Sequence, residues 1–169
     1  CLLEDAPKQV FELYKEEFLE VKKLVKHDNS KLAKRLDECN KMLLELKKEC
    51  ESYLLLDNIS HMYFKLMNVW NELELYLETC NKPEVREAVL ELYFRIRHFL
   101  NIYDGMDENY VIYAEFVENG HFMLRLFCVN PSGKLHSYLS MGNSTIFFSA
   151  TLLPIQYYKE LLSLEKDDY

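Results

Sequence analysis

Three small side chains, Ser149, Ala150 and Thr151, stand where an apolar, β-favouring run (145–148, Thr-Ile-Phe-Phe) ends and Pro154 follows. Such a run reads as a strand buried on both faces of a parallel sheet. In open α/β sheets, ligands gather at the carboxyl ends of the strands. Hydroxyls placed there can hydrogen-bond a neighbouring carboxylate or a nucleic-acid backbone. The plainer alternative is that Ser149 and Thr151 cap the helix beginning near Pro154, which carries Ile155, Tyr158 and Leu162 on one face.

A second chemistry is charge combined with stacking. Arg86, Arg95, Arg97 and His98 share a helical pattern with Tyr93 and Phe94, a combination that binds single-stranded DNA. Lys22, Lys23 and Lys26 form another basic group. The alternative for both is a solvated helix face, because Glu84, Glu87 and Glu91 interleave with the arginines. Metal chemistry has little support. The five cysteines (Cys1, Cys39, Cys50, Cys80, Cys128) form no CxxC pair, and His61, His98, His121 and His136 form no HExxH. Core thiols are the expectation, in a reducing, intracellular (cytoplasmic) setting. No carboxylate pair stands with a nucleophile or base at a telling spacing, so no independent active site is expected.

These residues are positioned mainly by helices. The stripe Val10, Phe11, Tyr14, Phe18, Val21, Val25 predicts a helix entered near Pro7, and Ser30 reads as the N-cap of the next. Leu32, Leu36, Cys39, Leu43, Leu46, Cys50 and Tyr53 alternate spacings of four and three. Ile59, Met62, Leu66, Val69, Leu73, Tyr76 and Cys80 repeat the pattern after an interruption at 54–60. Pro83 opens a further helix with Val85, Val89, Leu92, Ile96, Phe99 and Tyr103, which stops near Gly105. Short seams separated by turns predict antiparallel helices packed side by side.

At Asn109 the pattern changes to two β-rich runs around Asn119-Gly120, a hairpin signal. A two-residue loop there sets Val117 opposite Phe122 and Tyr113 opposite Leu126. Both faces of the hairpin are largely apolar and call for cover on both sides. A short amphipathic stretch, 135–141, follows Asn130-Pro131 and is closed by Gly142.

The chain carries a formal charge of −8, yet 119–159 holds no Asp or Glu. An acidic chain is a poor autonomous duplex binder, since cations supply most of that affinity. No apolar run is long enough for a membrane span. The chain opens on Cys1 and closes on Lys166-Asp167-Asp168-Tyr169, which reads as an excerpt of a larger protein.

The linked run 128–154 resembles the approach to motif III of the DinG/XPD-type, DEAH-box DNA helicases of superfamily two. In that family Cys-x-(Asp/Asn)-Pro is followed by a short helix and an apolar strand ending in Ser-(Ala/Gly)-Thr-Leu. Cys128, Asn130, Pro131 and the Ser149-Ala150-Thr151 triplet match. The resemblance covers about the last quarter of the chain, and the preceding helical region is similar to the family's Arch insertion by position and class. It implies a mainly α, α+β fold: an Arch-like helical bundle over 1–108, a hairpin over 109–130, and a strand-helix remnant of a RecA-like motor domain over 131–169. It further implies a parent ATP-dependent DNA helicase, with ATP and Mg bound by motor domains outside this chain, single-stranded DNA as partner, and Ser149 and Thr151 coupling hydrolysis to translocation.

The chain contains no GxxxxGKS/T loop and no Asp-Glu-Ala-His, so catalysis is not expected of it alone. The cysteine spacing assigns no iron–sulfur cluster. The alternative is a non-enzymatic helical protein-interaction or scaffold module. Bared of its sheet, the strand 145–148 is expected to pair with the hairpin or to make the isolated chain dimerise.

Overall fold

The computed structural model describes residues 10–142, together with Ile146, Gln156 and Lys159. The element order is β1 (Val10–Tyr14), α1 (Lys15–Val25), α2 (Ser30–Glu49), β2 (Tyr53–Leu56), α3 (Ser60–Thr79), α4 (Pro83–Asp104), β3 (Tyr110–Phe116), β4 (Phe122–Cys128) and α5 (Ser132–Leu139). The chain divides into two compact units, Cys1–Phe127 and Cys128–Tyr169. The architecture is mostly helical with one small antiparallel sheet, an α+β fold.

In the first unit four helices form a ring in which each packs on the next and α1 closes onto α4. The seam residues read from the sequence fill its centre: Leu32, Leu36, Cys39, Leu43, Leu66, Val69, Leu73, Val89 and Ile96 are fully buried. The α2 helix is capped by Asn29, whose side chain accepts the Leu32 N–H at 3.0 Å, one residue before the expected Ser30. Pro83 takes the first turn of α4, where its missing N–H costs no hydrogen bond. Gly105 ends that helix at φ −102°, without the left-handed turn its type would allow.

The sheet order is β1-β4-β3-β2. Two of its strands were not expected. Val10, Phe11 and Tyr14 lie in a strand, not a helix: Phe11 pairs with Leu126 and Leu13 with Leu124. Tyr53–Leu56 was expected as the end of a helical seam and its interruption, and instead pairs with β3 from Tyr53–Glu115 to Leu56–Ile112. The hairpin register also differs by one residue. The Val117 N–H donates to the His121 carbonyl at 2.9 Å, and the Phe116 and Phe122 rings lie 5.4 Å apart. The loop therefore takes in Glu118 as well as Asn119 and Gly120. Within it Gly120, at φ 72°, takes the left-handed backbone that glycine adopts freely.

Both flanks of the hairpin are taken, β4 by β1 and β3 by β2. The expected pairing of the run 145–148 with the hairpin falls, Ile146 apart, outside the described residues. Ile146 is in neither helix nor strand and is 85% exposed. The rest of that run, and Ser149, Ala150, Thr151 and Pro154, lie outside the described residues; Gln156 and Lys159 are helical. In the second unit, α5 follows Asn130-Pro131, and the Asn130 Oδ1 accepts the Ser132 N–H at 3.1 Å.

Candidate nucleic-acid interface

The six basic candidates divide into three that the fold uses and three that it leaves free. On α1, Lys22 reaches across to Asp37 of α2 at 2.5 Å, and Asp37 also holds Lys41 at 2.9 Å. The Lys22 ammonium is the leading reason the Asp37 carboxyl sits below its ordinary range. On α4, the Arg86 guanidinium donates to the Leu77 carbonyl in the last turn of α3, satisfying an acceptor the helix leaves unpaired. Arg95 pairs with Glu17 at 3.1 Å and lies over the Tyr14 ring at 5.4 Å. Lys23, Lys26 and Arg97 are exposed, with no ion-pair partner among the described residues.

The fold separates these free cations into two places. Lys82, just before α4, bonds Asp28, just after α1, at 2.6 Å, so the start of α4 meets the end of α1. Glu17, near the start of α1, meets Arg95 in the second half of α4. Lys23 and Lys26 therefore sit at one end of the bundle and Arg97 at the other, roughly 20 Å away at the helical rise of ~1.5 Å per residue.

The aromatic part of the candidate site lies on α3 and α4. Trp70 and Tyr93 stack in a tilted arrangement at 5.9 Å, and Tyr93 meets Phe94 edge-on at 5.4 Å. The Tyr93 hydroxyl donates to Glu74 at 3.2 Å, which fixes this ring as a bundle component. Phe94 is 53% exposed and stands one helical turn from Arg97, on the same face of α4. This pair is what remains of the charge-plus-stacking pattern after the bundle has formed. His98 does not join it; its ring packs edge-on against Phe11 of β1 at 4.8 Å.

Two polar clusters have no counterpart in the sequence reading. On the outer face of the sheet, Arg125 of β4 bridges both neighbouring strands. It reaches Glu12 of β1 at 2.6 Å, Glu115 of β3 at 2.9 Å and the Tyr113 hydroxyl at 2.8 Å. The second is Glu17 itself. One of its carboxyl oxygens is buried without a hydrogen bond. Burial pushes its pKa up to about 7; Arg95 opposes this, while Glu20, Glu91 and Glu12 add to it.

Cys39, Cys50, Cys80 and Cys128 are buried free thiols, and burial pushes Cys39 up to about 12. Cys39 and Cys50 lie in the hydrophobic core, as expected, and Cys80 joins them there. No group of three or more His, Cys, Asp or Glu side chains among the described residues is arranged to hold a metal. No helix among them is long and apolar enough to cross a membrane. No protein-family model matches the chain, and no curated protein matches it either.

Proposed function

We propose that the chain is the Arch-type helical domain of a DinG/XPD-like ATP-dependent DNA helicase, running on into the motif III segment of its first motor domain. The observation that carries this reading is the linked run 128–154: Cys128, Asn130 and Pro131, then a short helix, then an apolar stretch ending in Ser149-Ala150-Thr151. The short helix α5, beginning at Ser132 directly after Asn130-Pro131, supports it by position. The mainly helical unit with a small sheet ahead of that point supports it by class.

In this reading the motor domains bind ATP and Mg, for which this chain carries no phosphate loop, and no step of nucleotide chemistry is assigned to it. The part played by this chain is mechanical. The bundle forms one wall of the opening for a single strand, with Phe94 and Arg97 offering a stacking surface and a charge. The hydroxyls of Ser149 and Thr151 relay between the nucleotide side and the DNA side of the motor.

Thr151→Ala in the full-length protein tests the relay. ATP hydrolysis without DNA is expected to persist, while its stimulation by single-stranded DNA falls at least about tenfold. Undiminished stimulation would remove the role assigned to Thr151. The chain alone is expected to bind DNA weakly, because it is acidic and keeps only three of six candidate cations free. Fluorescence anisotropy with a labelled oligonucleotide at physiological salt checks this, and nanomolar binding would contradict it.

The same acidity, and the use of Lys22, Arg86 and Arg95 inside the bundle, favour a second reading as a helical protein-interaction module.

A further inference from the structure

Among the described residues the edge strand β2 is short and apolar and has no strand beyond it. Tyr53 and Leu55 point outward and are each 64% exposed, and no lysine or proline blunts the strand. Its inward residues, Leu54 and Leu56, pack against the core. Beside Leu56 a cleft of about 220 Å³ runs between the second half of α2 and the β2–α3 junction. Met42, Leu46, Leu56, Ile59 and Met62 supply its apolar lining, and Glu45 and Glu49 line it as well.

Charge decides what fits there. Glu45 and Glu49 are exposed, as are Glu51 and Asp57 on either side of β2, and none of the four has an ion-pair partner among the described residues. Lys47 is committed elsewhere, to the Gly120 carbonyl at 3.0 Å and the Phe116 ring at 5.1 Å. Lys41, one turn before Glu45, is held by Asp37 at 2.9 Å, so Lys48 and the His61 imidazole stand against four carboxylates. This field repels a phosphate backbone and attracts a cation carried on an aliphatic stem.

We propose that β2 and this cleft bind an extended basic peptide by strand addition. The peptide's backbone pairs with the free edge of Tyr53–Leu56. Because side chains alternate between faces, every second residue is directed toward the cleft. A lysine or arginine there lays its methylenes on Leu46 and Leu56 and its charge against Glu45 and Glu49. The intervening residues lie beside Tyr53 and Leu55 and are apolar. The partner is therefore a protein segment of alternating apolar and basic residues. The inference does not rest on the helicase reading.

The test uses the 169-residue chain and a fluorescein-labelled peptide of alternating valine and lysine, read by anisotropy at physiological salt. Saturable binding is expected. Glu45→Lys with Glu49→Lys is expected to weaken it at least about tenfold, and N-methylation of alternate peptide amides to do the same. A control, Glu84→Lys with Glu87→Lys, makes the same change of net charge on exposed positions of α4 and is expected to leave binding within about twofold. Circular dichroism confirms that both double variants keep their helices.

Equal loss in the control would reduce the effect to net charge and overturn the proposal. Full binding by the N-methylated peptide would overturn strand addition. Absence of saturable binding, or a chain found dimeric by sedimentation with the β2 edge occupied by its own copy, would overturn it as well.

Discussion

Glu17 is held in a place that suits its protonated form better than its charged one. Its ordinary value of 4.5 is raised to about 7, chiefly by burial, against the pull of Arg95 at 3.1 Å. A carboxyl whose folded-state pKa lies above its unfolded value stabilises the fold below about 4.5, and that contribution is lost as pH rises toward about 7. Asp37 and Glu38 act in the opposite sense. The Lys22 and Lys65 ammonium groups hold them below their ordinary range, so their stabilisation is present at neutral pH and is lost on acidification. Glu17→Gln keeps an acceptor for Arg95 and removes the titration. Urea midpoints measured from pH 5 to pH 8 are therefore expected to fall less steeply with rising pH in the variant, with the gain over wild type largest at pH 8. A parallel shift at every pH would show that Glu17 does not titrate in this window.

At the scale of elements, Arg125 joins three strands. It sits on β4 between Glu12 of β1 and Glu115 of β3, and the two carboxylates lose their shared cation if it is removed. Arg125→Met is expected to cost about 1–3 kcal/mol in chemical denaturation, the range for leaving a partly buried charged group unsatisfied. Arg125→Met combined with Glu12→Gln is expected to recover part of that loss. A single variant as stable as wild type would show that the cluster does not hold the sheet.

Neither this cluster nor strand β1 could be read locally. Val10, Phe11, Tyr14 and Phe18 fit a helical stripe, while Phe11 and Leu13 equally fit one face of a strand. Pairing with β4, more than a hundred residues away, decides between them. The interruption at 54–56 becomes β2 for the same reason, through β3. The α2, α3 and α4 seams were legible because spacings of three and four persist over five turns and need no distant partner. The hairpin was legible too, but its register turned on the length of the loop. Asn119-Gly120 implies a two-residue loop, and the structure takes in Glu118 as well. In the candidate interface, residue types were visible and their partners were not. Lys22, Arg86 and Arg95 read as free cations until tertiary structure supplied Asp37, the Leu77 carbonyl and Glu17.

For the whole molecule, a helical unit with a small sheet precedes the segment that resembles motif III. The division falls between Phe127 and Cys128, the residue at which that resemblance begins. In the proposed helicase the acidic surface of the first unit suits a domain that shapes an opening rather than one that grips DNA, and sequence-independent grip then belongs to the motor domains. The most direct test is therefore made on the full-length protein. A duplex carrying a single-stranded tail, labelled with a fluorophore and quencher and mixed with excess trap strand, reports strand separation directly. The account predicts separation that requires both ATP and Mg and is lost in Thr151→Ala. A full-length protein that neither separates the duplex nor hydrolyses ATP faster with single-stranded DNA would contradict it.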